Sequence, residues 1–144
     1  MRSRLGILIA VSGDNIDLAR RAVEAFAARD IETFGACCDP QIEIQPAITV
    51  LERTVFRGAS AYRQFVETID EAWESGEGTL ERVTEIDDDC VMAVLRFRAR
   101  SRGSGVPIDQ VLVWIMIFHE HKLTRIDAYS SLDAAREAAG QQRD

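Results

Sequence analysis

The sequence predicts an α+β domain in which helices come first and a mainly antiparallel sheet follows. Three observations carry this. Apolar residues recur at helical spacing in separate segments of the first half. Segments of strand length with alternating or continuous apolar character fill the second half. The joins between those strands are too short for crossover helices, which leaves an antiparallel meander.

In chain order, residues 1–14 set Arg2 and Arg4 ahead of the apolar run 5–11, a pattern that imitates a secretory signal. The segment is shorter than the usual ~15–30 residues of a signal, and a membrane span needs ~20 apolar residues. It therefore reads as a tail or short strand, ahead of a single domain over residues 15–140. Ser12, Asp14 and Asn15 offer helix caps. Ile16, Ala19, Val23, Phe26 and Ala27 then mark the apolar face of a first helix reaching about Arg29. Asp30 caps a second helix over residues 31–38, which Asp39 and Pro40 stop. Residues 41–46 alternate, with Ile42 and Ile44 on one side, and residues 49–56 make a short hairpin arm. Gly58 opens a third helix with Tyr62, Phe65, Val66, Ile69 and Trp73 on its apolar stripe, and Gly76 and Gly78 end it. Strands follow over residues 79–87, 91–100, 108–119 and 122–130. A terminal helical turn spans 134–139, and residues 141–144 are expected to fray.

Arg96, Arg98, Arg100 and Arg102 stand at every second position, which could be a basic strip or one face of a strand. Val91, Ala93, Leu95, Phe97 and Ala99 between them give the period of a half-buried strand. In the next strand Val111, Val113, Ile115 and Ile117 share one face, and Gln110, Leu112, Trp114, Met116 and Phe118 the other. A strand apolar on both faces needs two coverings. The helices supply one, so the expectation is a second subunit, giving a homodimer through the sheet, or a long tail.

The 144 residues carry 17 Lys+Arg against 24 Asp+Glu, a net charge of -7 that repels polyphosphates, so no nucleic-acid partner is expected. No membrane partner is expected either. A hydrophobic fraction of 47% fits a folded chain. Cys37, Cys38 and Cys90 cannot all pair within one chain, and they read as buried hydrophobes in a reducing, cytoplasmic setting.

The order of elements resembles the SnoaL-like branch of the nuclear transport factor two-like superfamily, named after polyketide cyclases. AVEAFAARDIETF, DPQIEIQP, the Phe56-Arg57-Gly58 lead, EIDDDCVMAVLRFRARSRGSGV and AYSSLDAAREAAG carry the resemblance, over nearly all of residues 15–140. It implies a cone-shaped fold, three N-terminal helices packed on a curved, mainly antiparallel sheet, with a pocket for a hydrophobic small molecule between them. The residues placed to line that pocket are Phe26, Phe34, Ile44, Phe65, Trp73, Leu112, Trp114 and Met116, with Gln110 as a polar anchor; each could equally be plain core. Tyr129 keeps the family's spacing to the closing glycine and either anchors the last strand or meets a ligand.

The catalytic groups of the relatives do not carry over. In the ketosteroid isomerase-like branch the tyrosine falls near Ala22, the base near Ile44 or Gln45, and the acid near Trp114. Against the limonene epoxide hydrolase-like pattern, Arg96-Phe97-Arg98 lacks its aspartate and Ala128 stands at the acid, although Arg98 and Asp127 could pair, as a catalytic dyad or as a salt bridge on the sheet face. A cyclase-like general base would have to be Asp109, Asp127, His119 or Glu43. His119 and His121 lack a third nearby ligand, so neither metal nor cofactor is expected. Two functions remain: a small-molecule-binding protein or metal-free acid/base enzyme acting on an apolar substrate, and a non-catalytic dimerisation or interaction module.

Overall fold

The computed structural model describes residues 4–46 and 55–143. The elements are α1 (Arg4–Ala27), α2 (Ile31–Cys37), β1 (Cys38–Gln45), β2 (Phe56–Arg57), α3 (Ala61–Ala72), β3 (Trp73–Asp87), β4 (Cys90–Ser101), β5 (Pro107–His119), β6 (Lys122–Tyr129) and α4 (Leu132–Arg143). The strands form one curled sheet in the order β2-β1-β6-β5-β4-β3. Among the described residues only β1 and β6 run parallel; the other pairings have the expected antiparallel arrangement.

The helices fill the concave side because their apolar stripes match the inward parity of the strands. Ala19, Ala22, Val23 and Phe26 of α1 and Phe65, Val66 and Ile69 of α3 are buried against Val91, Ala93, Leu95 and Phe97 of β4 and Leu112, Trp114 and Met116 of β5. The β4–β5 ladder pairs residues 90–100 with 107–117 without a break, so alternation read along one strand holds along both. Asp30 caps α2 as expected, its carboxylate accepting from the Thr33 backbone N–H and hydroxyl. The β5–β6 join turns through Glu120 and His121, both at positive φ, which suits a tight hairpin of this hand.

Several expectations are corrected. From Arg4 onward the segment expected to be a tail or short strand is helix, because nothing between the apolar run and residue 15 stops α1. Asn15 consequently caps nothing; it is buried inside α1 and its side-chain amide donates to the Asp88 carbonyl at 2.8 Å, tying the helix to the β3–β4 turn. Gly76 and Gly78 do not end α3, which stops at Ala72; they lie within β3. They sit where the end of α1 and the turn after it come close, a Cβ at Gly76 falling 3.0 Å from the Arg29 guanidinium and one at Gly78 falling 3.5 Å from the Ala27 Cβ. The terminal turn is a full helix, α4, which runs past Gly140 through most of the residues expected to fray. Most of the expected hairpin arm at 49–56 lies outside the described residues, which retain its end as β2.

α4 also answers the question of the second covering. Val113 and Ile115, on the convex face of β5, are 0% and 1% exposed in the single chain, packed with Cys90, Met92 and Ala135. The tail, not a second subunit, covers this part of the sheet.

Candidate functional site

The concave side converges on Trp114, at the middle of β5, which is 1% exposed. Phe26 of α1 meets its ring edge-on at 5.1 Å, Phe65 of α3 lies at 5.8 Å and Phe34 of α2 stacks at 6.4 Å. Phe26 and Phe65 also stack on one another at 5.3 Å. Beside this cluster is a cavity lined by Phe26, Pro46, Phe65, Ile69, Phe97, Leu112, Trp114 and Ala128. Its volume is about 20 Å³, room for about one water molecule. The hollow expected from the sequence is therefore nearly closed by its own aromatic walls.

Among the described residues the wall holds no ionisable side chain. Within the cluster the indole N–H of Trp114 is buried and has no hydrogen-bond partner among the described residues. Such an orphaned donor costs about 1–3 kcal/mol, so a domain keeps one only where something else outweighs it. The Trp73 indole N–H is in the same condition at the start of β3, where its ring packs edge-on against Phe97 at 6.3 Å.

Of the residues expected to line the pocket, Phe26, Phe65, Leu112 and Trp114 do so. Phe34, Ile44 and Met116 are buried in the surrounding core, and Trp73 packs on it. Gln110 does not line the cavity; it is half-buried, opposite Phe97 in the ladder and two residues along β5 from Leu112. Tyr129 is not in the cone. It pairs with Val113 and packs under α4 on the convex face, where burial, and then the nearby Asp127 charge, push its hydroxyl pKa up. Pro46, Ile69, Phe97 and Ala128 were missed as lining, although the inward parity of Phe97 and the helical stripe through Ile69 both pointed to them.

The acid/base candidates lie on the convex side of the sheet, Asp109 exposed to solvent, Glu43 partly exposed and Asp127 buried at 3% exposure beneath Arg125. Asp109 faces solvent and accepts from Arg96 at 2.7 Å, with Arg98 at 3.5 Å; Arg96 also donates to Glu81 at 3.2 Å. The Arg96 hydrogen bond holds the Asp109 carboxyl below its ordinary value, which makes it a poor base. On the other flank Glu43 accepts from Arg57 and Arg125, and Arg125 donates to Asp127 at 2.8 Å. The conceivable Arg98 and Asp127 pair does not form, because register sets Arg98 against Asp109 and Asp127 against Ile115 and Gln45. The arginine row thus belongs to a salt-bridged outer face.

His119 points to solvent as expected, its side chain 74% exposed. No group of three His, Cys, Asp or Glu suited to a metal occurs among the described residues. Cys37, Cys38 and Cys90 are free and buried. Burial, with a smaller contribution from Cys37, pushes the Cys38 thiol up to about 12, the opposite of an activated nucleophile. No helix of the described residues is long and apolar enough to cross a membrane.

Known structures share this architecture. TerC, co-crystallised with polyporic acid, superposes with a TM-score of 0.71 at 17% identity, over 86% of this chain and 96% of that one. A candidate SnoaL-like polyketide cyclase from Jannaschia sp. CCS1 gives 0.72 at 17% identity, over 89% and 92%. A Mycobacterium tuberculosis protein in complex with estradiol-17beta-hemisuccinate gives 0.66 at 17% identity, over 83% and 95%. Identities this low establish a shared fold. No curated protein matches the sequence. The family model described as a SnoaL-like domain matches residues 19–126, and the chain belongs to that family.

Proposed function

We propose that this protein binds a small, uncharged, apolar molecule in the cone and does no acid/base chemistry there. The observation that carries the reading is the wall of the cavity, which among the described residues consists of eight apolar side chains with no ionisable group. Glu43, Asp109 and Asp127, which an acid/base enzyme would need inside, are held in arginine networks on the convex side. That two structural neighbours, TerC and the Mycobacterium tuberculosis protein, carry organic molecules is consistent with the reading. At about 20 Å³ the cavity admits such a ligand only when Phe26, Phe65 or Trp114 change rotamer, as in a pocket populated by its ligand. Buried free thiols fit a reducing compartment, and we place the protein in the cytoplasm on that basis.

The test is saturation-transfer NMR with ethylbenzene as the neutral probe and benzoate as the charged one. Ethylbenzene should bind and benzoate should not, and Ala128→Leu, which fills the void, should abolish the signal. Failure of ethylbenzene to bind, or binding indifferent to Ala128→Leu, would remove the reading.

The nearly filled interior favours a second reading, a non-catalytic module that forms a homodimer through the outer sheet. α4 already occupies much of that surface, so a partner would have to use its margins. A monomer at micromolar concentration by analytical ultracentrifugation would end this alternative.

A further inference from the structure

We infer that Arg29 is the latch of the cone, a positioning residue whose contacts hold Phe26 and the last turn of α3 closed over the cavity, so that breaking the Arg29–Asp70 ion pair releases ligand entry. The inference rests on the reading of the cone as a ligand site. Arg29 Nε donates to the Asp70 carboxylate at 2.9 Å, next in the chain to Ile69. Its guanidinium also lies over the Phe26 ring, 5.5 Å from the centroid, and donates to the Phe26 carbonyl at 3.1 Å. Phe26 lines the cavity, as do Ile69 and, one turn before it, Phe65. One side chain thus grips α1 and α3 at the residues that close the hollow.

The backbone of Arg29 is in the left-handed region, at φ 61°. Its N–H donates to the Phe26 carbonyl at 3.1 Å and that of Asp30 to the Ala25 carbonyl at 2.8 Å, a helix ending that ordinarily takes glycine. An arginine there is kept against a backbone penalty, and its side chain is what ties α1 to α3. Gly76 of β3 leaves the guanidinium its place, since a Cβ would fall 3.0 Å from it.

Turning Phe26 aside breaks the contact between its ring and the guanidinium, and moving α3 outward with Phe65 and Ile69 breaks the ion pair. Either opening therefore loses an Arg29 contact. The pair is partly exposed, at 27% for Arg29 and 48% for Asp70, so it is a weak tie that salt screens. Weakening it raises the open population and, in proportion, the apparent affinity for a ligand. A merely structural tie predicts the other sign: stability falls and affinity stays the same or falls with it.

The test is an NMR titration with ethylbenzene of the wild-type protein and the Asp70→Asn and Arg29→Gly variants, with Asp109→Asn as control. Asp70→Asn keeps the side chain's shape, removes its charge and should bind about threefold more tightly than wild type. Arg29→Gly removes both contacts, restores the usual residue of the helix end and should bind about fivefold more tightly. Asp109→Asn should bind as wild type does. The advantage of Asp70→Asn over wild type should shrink between about 0.05 and about 0.5 M NaCl, because salt screens only the intact pair. An Asp70→Asn affinity equal to or below that of wild type, or an advantage indifferent to salt, overturns this inference and leaves the proposed function standing. Binding of ethylbenzene to none of these proteins overturns both. Should Arg29→Gly fail to fold, Asp70→Asn and its salt dependence decide the matter.

Discussion

The two faces of strand β5 differ in how they are covered and in what they carry, although their residues alternate along one chain. On the concave face Leu112, Trp114, Met116 and Phe118 meet helices α1, α2 and α3 in a continuous apolar layer. On the convex face Val113 and Ile115 are sealed by α4, and the sheet to either side of them is charged, with Arg96, Arg98 and Asp109 toward β4 and Glu43, Arg125 and Asp127 toward β1. Proton transfer in the cone would need an ionisable group facing it. Here the parity of the strands places the carboxylates outside, and burying one unpaired within the apolar layer would be expensive.

The largest effect on this contrast should come from the inside. Trp114→Ala removes the residue on which three rings converge and should cost about 3–5 kcal/mol of stability, read by urea unfolding. Next comes the cover: ending the chain after Ser131 uncovers Val113 and Ile115 and should cost about 2–3 kcal/mol. The truncated chain should also self-associate in size-exclusion chromatography, whereas a truncated chain as stable and as monomeric as the full one would show that α4 covers nothing of consequence. Asn15→Ala, which cuts the tether from α1 to the β3–β4 turn, should cost about 1 kcal/mol.

Much of this arrangement was legible beforehand, and the reason is geometric. The strict alternation from Val91 to Ala99 could be read as inside and outside because the β4–β5 ladder contains no bulge. Of the two roles the spacing left open to Tyr129, packing at the end of the last strand matches its place on the convex face; spacing alone could not choose, because the β5–β6 ladder shifts register at Ile117 and Phe118, so that Leu123 and Ile126 are both buried on the concave side despite unlike parity. Gly76 and Gly78 read as helix breakers because sequence does not distinguish a glycine that ends a helix from one that lets a helix lie close. Cap residues at 12–15 misled for a similar reason: Asn15 serves a residue 73 positions away, which no local pattern records. The degree to which aromatic rings fill the cone depends on rotamers and helix approach, and neither is written in spacing.

Two smaller effects sharpen the comparison. The buried Cys38 thiol stays protonated up to about 12, while in the unfolded chain it ionises near its ordinary value of 9.0. The folded state therefore holds the extra proton in that interval, and stability should fall as pH rises through it. Denaturation midpoints measured up to pH 10.5 should show the decline, and Cys38→Ala should flatten it. The smallest effect belongs to the outer network: Asp109→Ala breaks exposed ion pairs and should leave Tm within experimental scatter, with ligand binding unaltered.

The most direct test of the central claim is a titration of ¹³C,¹⁵N-labelled protein with acetophenone, following aromatic, methyl and backbone amide resonances together. The account predicts perturbations centred on Phe26, Phe65, Leu112, Trp114 and Ala128, with Arg98, Asp109 and Asp127 silent. Perturbations centred on those three outer residues, or none anywhere at saturating ligand, would contradict it.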